Sequence, residues 1–260
     1  MDNLDPKNMN ATIFKMEGVG KTWAYGGVVT KALSGINMEI SVGEFISIIG
    51  PSGCGKSTLL SILAGLENPS EGNIVFQDQE YNARLGNIGY MHQKDLLLPW
   101  RTVLDNAILS PEIKGISRTL AEDQVLKMME VFGLEGFEKS YPFQLSGGMR
   151  QRVAFLRTIM ADNKLLLLDE PFGALDALTR INMQDWLLQL WESWNKTILM
   201  VTHDVEEAAI LSDRIYVLTQ RPGRVKSVIN VDLPRPRSGD MRADLAFVSL
   251  KSRIMNDLTS

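Results

Sequence analysis

The apolar run Phe45-Ile46-Ser47-Ile48-Ile49 leads straight into Gly50-Pro51-Ser52-Gly53-Cys54-Gly55-Lys56-Ser57-Thr58, and no other stretch leaves the chain so little freedom. Gly50, Gly55, Lys56 and Ser57 hold the fixed positions of the phosphate-binding pattern G-x-x-x-x-G-K-[ST]. Glycines let a backbone wrap an anion and aim its N–H groups inward without Cβ clashes. The apolar helix expected next, with Leu59, Leu60, Ile62, Leu63 and Leu66, points the positive end of its dipole at the same anion. The pattern assigns Lys56 to the β- and γ-phosphates and the Ser57 hydroxyl to Mg2+. A plain Gly-rich turn explains neither the strand before nor the helix after. Residues 50–58, Cys54 and Thr58 included, are therefore expected to bind a nucleoside triphosphate.

Composition narrows the setting. At 260 residues, 45% hydrophobic and 22% charged, the chain can bury a proper core. A net charge of −4 lacks the basic footprint of a nucleic-acid clamp, so no nucleic-acid partner is expected. No apolar run approaches the length that spans a bilayer. The polar start MDNLDPKNMN has neither the basic opening nor the apolar stretch of a signal peptide. Cys54 is the single cysteine, which excludes an internal disulfide and fits a reducing, cytoplasmic compartment.

Thr12 to Gly18, Ile36 to Val42 and Gly72 to Gln77 read as strands of an antiparallel sheet. The apolar runs Phe45 to Ile49, Leu165 to Leu168 and Thr197 to Val201 read as buried parallel strands, joined by Ile88 to Met91 and Arg214 to Leu218. Between Thr102 and Met160 the pattern turns helical: Val125, Met128, Met129 and Phe132 share one face, and Gly133 is a natural stop. A second helical stripe carries Met183, Leu187, Leu190, Trp191 and Trp194, a core face rather than a ligand box. Strands alternating with helices around a phosphate loop indicate an α/β domain with a mostly parallel sheet and an inserted helical subdomain.

Two further signals carry chemistry. Leu165 to Leu168 delivers Asp169 and Glu170 to a strand end, where Asp169 suits Mg2+ and Glu170 suits a general base for an attacking water. Leu145-Ser146-Gly147-Gly148-Met149 then offers a hydroxyl and free N–H groups at a helix start, which serve either as an anion site or as a plain N-cap. Phosphate loop, Ser-Gly-Gly and Asp-Glu together resemble the ATP-binding cassette ATPases of ABC transporters, from about Ile13 to about Pro236.

The resemblance implies a P-loop NTPase (RecA-like) core, an antiparallel β subdomain and an inserted α-helical subdomain at about 94–160. The cassette would span 12–245, with 246–260 a C-terminal helix or tail. It implies ATP and Mg2+ as cofactors, Gln93 as the Q-loop residue touching metal and water, Gly173 to Asp176 as the D-loop, and His203 as the switch histidine on the γ-phosphate. Tyr25, opening a turn, is expected to stack on adenine, with Trp23 as its rival. Ser146, Gly147 and Gly148 would face the phosphate loop of a second copy, making the working unit a homodimer. Met149 stands where many members carry glutamine, and Phe143 occupies an often polar position.

Leu96-Leu97-Leu98-Pro99-Trp100, just after Gln93, lies where the family lines the groove for a permease coupling helix. Transmembrane permease subunits and, indirectly, an external solute-binding protein are thus implied partners, on the cytoplasmic face of the inner membrane. QKDLLLPWRTVLDN, RPGRV and DLPRPR look like the importers of nitrate, sulfonates, taurine and pyrimidine precursors. The Leu233 to Arg237 stretch also reads as an exposed linker before a helix near Met241 to Met255. An exporter subunit or a non-transport cassette is the remaining alternative. Repair and translation cassettes are disfavoured by the short interval between motifs and the single cassette, and a P-loop kinase has no use for Ser-Gly-Gly.

Overall fold

The computed structural model describes residues 11–77, 79–80, 84–194 and 196–259. Its centre is a six-stranded sheet built from β3 (Phe45–Ile49), β6 (Ile88–Met91), β7 (Leu165–Asp169), β8 (Thr197–Val201), β9 (Arg214–Leu218) and β10 (Val225–Asn230). The order is β10-β9-β3-β8-β7-β6. All neighbours are parallel except β10, which returns antiparallel on β9.

Every residue of β3, β7 and β8 is buried, which explains their unbroken apolar runs. The strand period of two distributes them between two cores. Phe45, Ile49, Leu166, Leu168, Ile198 and Met200 face one core. Ile46, Ile48, Leu165, Leu167, Leu199 and Val201 face the other.

The second core is roofed by the antiparallel sheet β2-β1-β4-β5, made of β1 (Thr12–Tyr25), β2 (Val28–Ser41), β4 (Glu71–Phe76) and β5 (Gln79–Glu80). Helix α1 (Lys56–Leu63) fills it with Leu59, Leu60, Ile62 and Leu63. β1 and β2 outrun the expected strands, pairing as far as Tyr25 with Val28 across Gly26-Gly27. Both turn glycines have positive φ, 55° and 79°, as a two-residue hairpin turn requires.

The first core carries the helices. Between β6 and β7 lie α2 (Val103–Ala107), α3 (Leu109–Ile113), α4 (Arg118–Met129) and α5 (Gly147–Ile159). After β7 come α6 (Ala177–Trp194) and α7 (Val205–Leu211), and the chain closes with α8 (Leu245–Thr259). Of the expected stripe on α6, Met183, Leu187 and Leu190 are buried in this core and Trp191 packs against it; the Trp194 side chain lies outside the described residues.

The C-terminal segment is the helix α8, whose Phe247 and Ile254 are 1% and 0% exposed in the main core. One expectation changes: Leu233 to Arg237 is not an exposed linker. Arg237 is 6% exposed, and its Nη atoms donate to the carbonyls of Ile210, Ser212, Val231 and Leu233. Burial pulls this guanidinium down to about 10. Arg235 lies 4.0 Å over the Trp191 ring and donates to Asp213 at 2.7 Å. Arginine guanidinia fasten the segment where composition alone suggests solvent.

Candidate functional site

The carboxyl edge of a parallel sheet is where α/β folds gather ligands. The loops after β3, β6, β7, β8 and β9 all open there, around a cavity of about 570 Å3. That volume falls within the range of about 300–1,000 Å3 typical of ligand pockets. Its wall includes Ser52, Gly53, Gly55, Lys56, Ser57, Thr58, Gln93, Glu170 and His203.

Gly53 and Gly55 have φ of 73° and 107°, the left-handed backbone that turns successive N–H groups inward. A Cβ on Gly55 would also stand 2.8 Å from Leu33 Cδ2. Lys56 is 8% exposed, and its Nζ donates to the carbonyls of Gly50 at 2.7 Å and Pro51 at 3.0 Å. The loop's own carbonyls thus hold the ammonium at the cavity wall. Gly50, Pro51 and Cys54 do not line the cavity. Cys54 is 1% exposed within the second core, and burial raises its thiol pKa. Its side chain packs into that core rather than lining the cavity.

Opposite Lys56, three loop residues meet. Gln93 Nε2 donates to Glu170 Oε2 at 3.0 Å, and His203 Nδ1 lies 3.5 Å from Glu170 Oε1. Glu170 has a φ of 50°, and its N–H donates to Val201 O at 2.9 Å, extending the β7–β8 ladder one step past the strand. Asp169, directly before it, is 3% exposed, with the Ser57 hydroxyl beside its carboxylate. Burial raises the Asp169 pKa and the Glu170 charge adds to this, against the lowering effects of Ser57 and Lys56. A hydroxyl beside a buried carboxylate is a hard oxygen donor set that suits Mg2+. Among the described residues no group of three or more His, Cys, Asp or Glu could hold a metal ion.

His203 stands between β8 and α7 on a braced turn. Asp204 caps α7 by accepting from the N–H groups of Glu206 at 2.7 Å and Glu207 at 3.3 Å. The Thr202 hydroxyl donates to buried Glu207 at 2.6 Å, and Gln184 Nε2 donates to it from α6 at 3.2 Å. Burial raises the Glu207 pKa. This carboxylate under the histidine escaped the sequence reading, since Glu-Glu in a first helical turn looks like dipole matching.

The two aromatic candidates are placed differently, Tyr25 first. It is 91% exposed near the hairpin tip and does not line the cavity, whereas Trp23 does. The two share a strand face, but Tyr25 lies two residues further along an arm that projects past the loop. Lys21 Nζ sits 4.2 Å from the Trp23 ring centre and holds it in place. Thr30, Ala32 and Arg221 complete this end of the wall; the sequence reading placed none of them in the site, Arg221 entering it only as the start of RPGRV. β2's outer arm has no apolar alternation to betray it. Arg221 did carry a signal, an arginine just past the carboxyl end of β9.

Ser146, Gly147 and Gly148 do not join this cavity. Ser146 is the N-cap of α5, its hydroxyl accepting from Met149 N–H at 3.2 Å, and both Ser146 and Gly147 are exposed. A Cβ on Gly148 would stand 3.3 Å from Ala174 O, so the helix start rests on the loop after Glu170.

Fold and site define a P-loop ATPase of the cassette type. Residues 33–173 match the family model described as ABC transporter, and the chain belongs to that family as its ATP-binding, ATP-hydrolysing component. It is 44% identical to the uncharacterised ABC transporter ATP-binding protein MJ0412 of Methanocaldococcus jannaschii, over 99% of this chain and 95% of that one. It is 40% identical to an aliphatic sulfonates import ATP-binding protein SsuB of Bacillus cereus, over 92% and 93% of the two chains. Among solved structures, the dimeric post-hydrolysis state of the cassette MJ0796 bound to ADP and Pi matches with a TM-score of 0.77 at 33% identity, covering 85% of this chain and all, 100%, of that one.

Proposed function

We infer that this chain is the ATPase subunit of an importer, working as a homodimer on the cytoplasmic face of the inner membrane beneath two permease subunits. The observation that carries this reading is the split site. The cavity gathers Lys56, Gln93, Glu170 and His203, while exposed Ser146 and Gly147 lie outside it, their donors unspent on this chain's own nucleotide site. A triphosphate needs donors on both sides, and a second copy supplies the missing one. The likeness to a dimeric cassette bound to ADP and Pi supports this.

In the cycle, Trp23 stacks on adenine and the loop N–H groups with Lys56 hold the phosphates. Ser57, Asp169 and Gln93 would hold Mg2+, which offsets phosphate charge when bound. Glu170 takes the proton of the attacking water, oriented by Gln93, and His203 contacts the γ-phosphate. Closure lasts while that phosphate bridges the subunits. The relative named for aliphatic sulfonate import supports inward transport of a small anion such as a sulfonate or nitrate, or of a pyrimidine precursor, delivered by an external binding protein. An exporter subunit is the second reading.

Mixed subunits test the split site. Lys56→Ala and Ser146→Arg should each abolish ATP turnover alone, since each spoils both sites of its dimer. Mixing the two restores one intact site per heterodimer, so turnover should recover to roughly a quarter of wild type after random pairing. No recovery in a mixture shown to exchange subunits rules out shared sites.

A further inference from the structure

One cation in the cavity wall is unused by the chemistry above. Arg221 follows β9, and its Nε donates to Gly53 O in the phosphate loop at 3.1 Å. An Nη lies 3.3 Å from where a Cβ on Gly53 would stand, so the guanidinium lies along the loop with further N–H donors over the cavity. Its turn is fixed. Thr219 Oγ1 donates to Gln220 O at 2.9 Å and accepts from Arg224 N–H at 3.0 Å. Gly223 N–H donates to Ala32 O at 2.9 Å and Gly223 O accepts from Ser34 N–H at 3.0 Å. A Cβ on Gly223 would stand 2.2 Å from Cys54 O, so this turn is pressed directly onto the loop.

Sheet order decides which part of the nucleotide Arg221 meets. Gln93, Glu170 and His203 follow β6, β7 and β8, all on one side of β3. β9 lies on the other side, so Arg221 shares its end of the cavity with Trp23, Thr30 and Ala32, away from the hydrolytic group. A guanidinium only donates, and its planar fork suits phosphate oxygens. With Lys56 assigned to the β- and γ-phosphates, the phosphate next to the sugar is the anion within reach. We propose that Arg221 is a nucleotide-binding residue that donates to the α-phosphate, setting affinity for ATP and ADP alike without acting in hydrolysis.

The inference rests on the cavity being the ATP site, and Lys56→Ala tests that separately: wild-type protein that binds no nucleotide, or binds it unchanged in Lys56→Ala, sinks the site itself. Given a working site, Arg221→Gln should raise the Kd of MgATP, MgADP and the magnesium complex of 2′,3′-dideoxy-ATP by the same factor. That factor is about tenfold, the loss of one hydrogen bond to a charged group. Arg221→Lys should lose less. KM for ATP should rise in step while kcat changes by less than about twofold, and the nucleotide-free melting temperature should hold. Unchanged dissociation constants overturn the proposal. So does a loss confined to ATP, which would put the contact on the γ-phosphate, or one that vanishes for the dideoxy nucleotide, which would put it on the sugar. Equal losses in both variants with a lower melting temperature would make Arg221 a brace for the loop and nothing more.

Discussion

Glu170 occupies left-handed backbone that costs a residue bearing a Cβ about 1–2 kcal/mol, at a φ of 50°. The Val201 carbonyl, accepting its N–H at 2.9 Å, helps hold it there. The result is a carboxylate delivered off the end of a buried strand, 3.0 Å from Gln93 Nε2 and 3.5 Å from His203 Nδ1. Glu170→Gln keeps the shape and an oxygen for Gln93 but removes the base. Phosphate release at saturating ATP should therefore fall by roughly 10²–10⁴, with equilibrium ATP binding little changed; full-rate hydrolysis would remove Glu170 from the chemistry. At this scale the sequence was readable where a motif fixes the backbone. Lys56 and Glu170 follow from a loop and a strand end. Motif membership does not say which way the Cys54 thiol turns, or how far a hairpin arm carries Tyr25 from the cavity wall.

Elements were legible where one face is buried against water. β3, β7 and β8 read directly because continuous apolar runs are how doubly covered parallel strands look. The outer arms of β1 and β2 did not, since Tyr25, Val28 and Val29 are exposed and carry no in-out alternation. α5 shows what elements add to motifs. Its N-cap is Ser146, and its arginines hold the loop after Gln93: Arg150 Nε donates to Asp95 Oδ2 at 3.0 Å, and Arg157 donates to the carbonyls of Asp95 and Leu96, each at 2.8 Å. In the proposed dimer, one helix would thereby join the partner's nucleotide to this chain's Gln93. The Arg150–Asp95 pair is about one-third exposed on each side, which limits its worth to about 0.2–1 kcal/mol. Asp95→Ala should consequently leave melting nearly unchanged yet lower turnover several-fold by loosening Gln93. A double-mutant cycle with Arg150→Ala should be non-additive, the second substitution costing little after the first. Strictly additive losses in kcat would detach the pair from the placement of Gln93.

The whole molecule puts two outward surfaces on one rigid piece. One is the Ser146 end of α5, and the other is the loop Leu96–Trp100. Asn106, 0% exposed in α2, accepts from Leu98 N–H at 2.8 Å and donates to the carbonyls of Leu98, Arg101 and Thr102, so this loop is fixed before anything docks on it. Leu97 is buried at 9%, yet Leu96 and Trp100 stay 51% and 71% exposed, an apolar pair on a braced loop. Fold class and reaction were legible at this scale because three motifs share one chain. Partners were legible only as surfaces left over once the cores and the cavity had taken their residues. An exposed tryptophan on a fixed loop suits an interface anchor, a type of residue whose truncation costs about 2 kcal/mol or more of binding. Trp100→Ala should therefore weaken co-purification with the permease from membranes and cut solute uptake at least tenfold. ATP binding and turnover of the isolated subunit should remain within about twofold, since Trp100 is absent from the cavity wall. Equal loss of transport and of isolated turnover would make Trp100 a residue of the fold, and intact uptake would move the permease contact to another face.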